Sequence, residues 1–178
     1  MEVKILVALL ENKVEAHLDQ AIKAFQQLEA QKLNQLATNG GWSIAQCLAH
    51  LNTYGDYYLP KIEHAIDSAT ITTSKEFVSG WLGKYFTGMM DPDRAQKKYK
   101  AMKMHHPPSS LDAHQTVAKF IDQQEKLIVL LKRCENKDLA SVKVATSINK
   151  LIKLKLGDAL QFLIMHNERH IRQAIRNL

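Results

Sequence analysis

The sequence is short of the residues that interrupt helices: its 178 positions hold only seven glycines and four prolines. Long stretches without either weigh against a chain of short strands joined by tight turns, and favour long helices. Cysteine is scarcer still. Cys47 and Cys134 lie far apart and form no CxxC pair. That excludes a disulfide framework, and a reducing, cytoplasmic compartment is expected. The N-terminal apolar run, residues 5–10, ends at Glu11. It is far short of the roughly 20 residues of a membrane span and lacks the cationic lead-in and cleavage site of a leader. No membrane association is therefore expected. There is no GxSxG, no P-loop and no GxGxxG, so neither a nucleophile elbow nor a nucleotide cradle is on offer.

Charge excludes less. The formal net charge is +6, from 24 Lys and Arg against 18 Asp and Glu. The lysines are scattered, apart from Lys97, Lys98, Lys100 and Lys103. A nucleic-acid surface calls for a denser basic stripe with interleaved aromatics, so nucleic acid is not an expected partner. A small-molecule substrate is.

Four helical segments are readable. Residues 3–36 place Leu10, Val14, Leu18, Ile22, Phe25, Leu28, Leu33 and Leu36 at spacings of three to five, which predicts one long helix closed by Thr38-Asn39-Gly40-Gly41. Ser43 and Gln46 form a capping box for a second helix running to about residue 66. Its buried face takes Ile44, Cys47, Leu48, Leu51, Tyr54 and Tyr58, and Pro60 is expected to kink or locally unwind it. Residues 67–111 are the least regular part. A third helix is predicted from about residue 111 to 134, then an extended connection over 139–155, then a last helix from 156 or 157 almost to the end. This pattern predicts an all-α, four-helix bundle, one domain over 1–178, with a long irregular connection between the second and third long helices. Helices of this size often pair through an outer face, so a homodimer is compatible with it.

Eight histidines are present. Most read as surface residues: His17 on the solvent face of the first helix, His105 and His106 in an exposed loop before Pro107-Pro108. His166 and His170 differ. Four residues apart on a helix, they leave one face, and that face also carries Ala159, Phe162, Leu163 and Ala174. His50 sits in the apolar setting Leu48-Ala49-His50-Leu51. Buried imidazoles need partners, since each unpaired buried polar group costs about 1–3 kcal/mol. One divalent ion held by three imidazoles from two neighbouring helices supplies them and leaves a position open. A hydrogen-bonded or structural-metal cluster in a non-catalytic bundle, serving dimerisation or partner binding, is the alternative. Cys47 and Tyr54, one turn either side of His50, and Arg169 and Gln173, beside the His pair, are candidates for the pocket. Cys47 also reads as core and Tyr54 as simple packing. Arg169 suits an anionic substrate group or a surface acid. Glu168 is expected to face solvent.

The segment Trp42-Ser43-Ile44-Ala45-Gln46-Cys47-Leu48-Ala49-His50-Leu51 resembles the second helix of the DinB/YfiT-like superfamily. His166-Asn167-Glu168-Arg169-His170-Ile171-Arg172-Gln173 resembles that superfamily's final H-x-x-R-H-x-x-Q helix. The resemblance implies an up-down-down-up four-helix bundle and a metal, zinc or nickel, on His50, His166 and His170. It also implies a thiol-dependent transferase, since characterised relatives include bacillithiol- and mycothiol-dependent transferases and a maleylpyruvate isomerase; a metal-bound water would equally serve a metal-dependent hydrolase. A low-molecular-weight thiol is thus an implied cosubstrate. The substrate itself is not implied.

Overall fold

The computed structural model describes residues 1–71, 76–94 and 101–178. Lys97, Lys98 and Lys100 of the basic stretch lie outside them. The described residues are mostly helical, with six α-helices and one small sheet. None of the helices is long and apolar enough to cross a membrane.

Helix α1 (Val3–Gln20) buries Val3, Leu6, Val7, Leu10, Val14 and His17, a stripe at helical spacing. The single helix expected over 3–36 does not form. A π-helical turn over Ala21–Phe25 follows α1, and the chain then restarts as the short α2 (Ala30–Asn34). The wider turn rotates the apolar stripe, and the restart brings Leu33 onto Ile44 and Phe120, buried in one cluster with it. The five-residue step from Leu28 to Leu33 was the trace of this break. Gly40, at φ 74°, makes the turn that follows.

Helix α3 (Ile44–Ser68) starts at the capping box read from the sequence: Ser43 Oγ accepts from the Gln46 N–H at 3.1 Å, and Gln46 Oε1 accepts from the Ser43 N–H at 3.1 Å. Pro60 does not unwind it; the helix runs through. Pro60 and Asp56 are both exposed, so water can reach the carbonyl that the missing N–H leaves free. Within the irregular region lies α4 (Trp81–Met90), which packs on α6. The buried carboxylate of Asp158 accepts from the Gly80 N–H at 3.0 Å and so caps α4 from another helix. Helix α5 (Ala113–Lys132) is capped by Asp112. The connection expected over 139–155 is in fact an antiparallel hairpin, β1 (Lys143–Ala145) and β2 (Lys153–Lys155), whose Val144–Leu154 pair faces the core. Helix α6 (Leu156–Ile175) follows β2 directly.

Helices α1, α3, α5 and α6 pack side by side, α3 between α5 and α6 and α1 against α5 and α6. Their apolar residues fall into two clusters. One holds Val14, Tyr58, Leu127 and Ile164; the other holds Phe25, Leu48, Phe120 and Ile171. Between them runs a layer of buried polar side chains to which every long helix contributes: His17 from α1, His50 and Asn52 from α3, Gln124 from α5, His166 and Asn167 from α6.

Candidate functional site

Buried polar groups are found with partners, so each member of the layer has to be accounted for. Both asparagine amides donate, and Asn52 Oδ1 is left without a partner. Asn167 Nδ2 donates to Gln124 Oε1 at 3.1 Å, and Asn52 Nδ2 donates to the Thr116 carbonyl at 2.9 Å. His17, expected at the surface, is 1% exposed. Its Nε2 lies 2.7 Å from Glu168 Oε2, and Glu168 Oε1 accepts from Arg172 Nε at 2.6 Å. Arg172 continues to Asp93. Glu168 is therefore partly buried and paired, not solvent-facing, because the turn of α6 that presents His166 to α3 presents Glu168 to α1. The His17 hydrogen bond and Arg172 hold the Glu168 carboxyl down at about 2.

His50, His166 and His170 come together. One ring nitrogen from each lies within 4.8 Å of the others. The rings meet edge to face, with centroids 4.6 to 5.0 Å apart. Two of the tautomers follow from the Nδ1 partners. His50 Nδ1 donates to the His105 carbonyl at 2.6 Å, and His170 Nδ1 donates to Gln173 Oε1 at 3.0 Å. Both Nε2 atoms are then lone pairs. His50 Nε2 is 3.2 Å from His166 Nε2, while His166 Nδ1 is buried with no partner.

Among the described residues this three-membered group contains no carboxylate or thiol. The charges that bear on it are cationic: Arg169 beside His166 and His170, Arg176 beside His170. Burial, foremost, disfavours the charged imidazoles, and the neighbouring rings add to it. His50 is lowered to about 4, His170 to about 3 and His166 well below its ordinary value. All three are neutral at pH 7, the state in which an imidazole can ligate.

The donor set fits a divalent ion. Nitrogens at the usual zinc distance, around a tetrahedral ion, are about 3.3 Å apart, close to the 3.2 Å between His50 and His166. With Nδ1 of His50 and His170 engaged elsewhere, as metal-ligating histidines ordinarily are, their Nε2 atoms are free to ligate. The group could hold a metal ion.

The surrounding wall is aromatic. Tyr54 packs on His166 at 4.2 Å and on His50 at 5.1 Å between ring centroids, and burial pushes its hydroxyl up to about 12. Trp42 lies 4.9 Å from His50 and stacks on His170 at 5.7 Å. Trp42, Arg169, His170 and Gln173 are partly exposed and His106 is exposed; they form the surface side of the cluster. Arg169 donates to the Met89 carbonyl at the end of α4. Cys47 lies in the apolar cluster with Phe25 and Leu48, its thiol pushed up to about 12 by burial. His105, expected in an exposed loop, is 2% exposed and packs on Tyr54 at 4.0 Å. The carbonyl it offers to His50 had no signal in sequence, because any residue type carries one.

The family model of the DinB superfamily matches residues 13–174, which takes in α3, α5, nearly all of α6, the C-terminal part of α1 and the three histidines. Searches of curated proteins and of solved structures returned no match. The chain belongs to the DinB superfamily.

Proposed function

We propose that this chain is a metal-dependent enzyme, a single four-helix-bundle domain over 1–178, in which His50, His166 and His170 hold one divalent ion, zinc or nickel. The observation that carries the reading is the convergence of three neutral imidazoles on one point with no counter-charge of their own. A cation bound there lowers the pKa of a coordinated water or thiol, or polarises a carbonyl; hydrolysis and thiol transfer of a small molecule both fall within that chemistry.

The chain's own residues have separable tasks in this reading. Gln173 orients His170 through Nδ1. Tyr54 walls the inner side of the cluster with an apolar ring face, and Trp42 covers His170 from the surface side. Arg169, on the outer side, suits an anionic group of the substrate. Cys47 backs His50 as a protonated core thiol and not as a nucleophile.

The test is metal content. Purified protein should carry or take up one divalent ion per chain, and His50→Ala should abolish uptake while the helical circular dichroism persists. Wild-type protein that takes up neither zinc nor nickel would overturn the reading. The 3.2 Å approach of His50 and His166 also suits a direct imidazole–imidazole hydrogen bond. In that second reading the cluster is a core element of a non-catalytic bundle, and His50→Ala costs stability and nothing else. If metal binds, a screen of thiols against electrophiles, run beside a hydrolase screen, separates transfer from hydrolysis.

A further inference from the structure

We propose that Thr53 and His105 are positioning residues for His50, joined with it in a closed loop of hydrogen bonds that selects the tautomer presenting Nε2 to His166 and His170. The proposal rests on the metal reading for its purpose, though not for its geometry.

Three bonds make the loop. Thr53 Oγ1 lies 2.7 Å from the His50 carbonyl, three residues back on α3. A carbonyl only accepts, so the single hydroxyl proton of Thr53 is spent there. Thr53 Oγ1 also lies 2.8 Å from His105 Nδ1. With its proton committed, the hydroxyl can only accept, so His105 Nδ1 carries the hydrogen. The carbonyl of the same His105 then lies 2.6 Å from His50 Nδ1, which must donate, leaving Nε2 of His50 as the lone pair. The second assignment follows from the first, and the third from the carbonyl alone, whose place over His50 the first two bonds hold; none leaves a choice of tautomer.

The loop ties two segments far apart in sequence. His105 ends a short 3-10 turn, Lys103–His105, ahead of α5, and Thr53 is on α3. Docking this segment does not by itself call for a histidine. An apolar side chain at 105 would fill the same buried space without leaving an unpartnered nitrogen, and His105 Nε2 is buried with no partner. Such an atom costs about 1–3 kcal/mol. What an apolar side chain lacks is the Nδ1–H that ties residue 105 to Thr53 and so sets its carbonyl over His50. Outer partners that orient a ligating histidine in this way typically govern metal affinity by about 10- to 100-fold.

Two readouts test the loop. The first uses metal-free protein and long-range proton–nitrogen correlation of the imidazoles. Wild type should show His50 and His105 both protonated at Nδ1, and Thr53→Val, nearly isosteric, should release His105 to a mixed or reversed tautomer. The second is zinc affinity by competition with a chelator. Thr53→Val and His105→Phe should each weaken binding about 10- to 100-fold, and the double variant should be no weaker than the worse single, because both cut one loop. Thr53→Ser and His105→Asn, which keep the acceptor and the donor, should restore affinity to within a few-fold. Additive losses would overturn the proposal, as would Thr53→Ser behaving like Thr53→Val, or unchanged tautomers and affinity in Thr53→Val. If the wild-type tautomers are as stated and shift in Thr53→Val while wild type takes up no zinc, the loop stands as the device that orients His50 and the metal reading fails.

Discussion

His17 and His166 are buried in the same layer, 1% and 3% exposed, and they face opposite kinds of partner. His17 meets a carboxylate, Glu168, itself held by Arg172. His166 meets two other imidazoles, with Arg169 nearby and no acid. On the first side the fold supplies a carboxylate and the guanidinium that holds it, and only the far nitrogen of the ring, His17 Nδ1, is left without a partner. On the second it supplies ring nitrogens that face one another, His50 Nε2 lying 3.2 Å from His166 Nε2. Burial alone therefore does not mark a functional histidine. The distinguishing mark is the kind of group it faces, a carboxylate for His17 and two further imidazoles for His166.

Replacing one histidine on each side gives the largest expected contrast. His166→Ala should abolish zinc uptake, a loss well beyond the roughly 100-fold ceiling typical of an outer partner. His17→Ala should leave uptake within a few-fold while lowering the urea midpoint, since it strands the Glu168 carboxylate. Chelator competition and urea titration on the same two samples decide it; equal metal loss in both would erase the distinction.

Acid should separate the sides next. The three imidazoles have folded pKa values below their ordinary 6.5, so as pH falls the unfolded chain binds protons first. Their contribution to metal-free stability is full above about 6.5 and is lost as pH drops toward about 4 for His50 and about 3 for His170, by about 2 kcal/mol for each of these two at pH 5. Glu168 is also lowered, to about 2. It keeps its stabilising effect above its ordinary 4.5 and loses it only as pH falls from there toward 2. Urea titrations of wild type and His166→Ala at pH 7 and pH 5 should show a shallower loss in the variant; parallel losses would place the acid sensitivity elsewhere.

The smallest contrast is between ion pairs. Glu168→Gln removes a partly buried charge from two hydrogen bonds and should cost about 1–3 kcal/mol. Lys119→Ala breaks an exposed pair with Asp56 and should cost less than about 1 kcal/mol. Thermal melts of the two variants rank them, and a larger loss in Lys119→Ala would mean that the layer is less tightly built than its distances suggest.

Much of this was legible in the residues. The capping box at Ser43 and Gln46 was readable because it is local, three residues wide. The His166–His170 face was readable because helical spacing is periodic, and the buried setting of His50 because its neighbours are apolar. The partners of His17 and His105 were not readable. Glu168 lies 151 positions from His17, and the segment that buries His105 reaches α3 across 52 positions from Thr53. The break after α1 was missed because no glycine or proline marks it. The β1–β2 hairpin was missed because its strands are three residues each and pair only across a loop.

The sequence by itself determined which side chains can ligate, which helices carry them and where α3 begins, because propensity, capping and periodicity act over a few residues. Only the tertiary structure decided which buried histidine meets an acid and which meets its own kind, because that depends on how α1, α3 and α6 are rotated about their axes when they pack. The same packing chose the tautomer of His50, through a carbonyl that belongs to another segment of the chain.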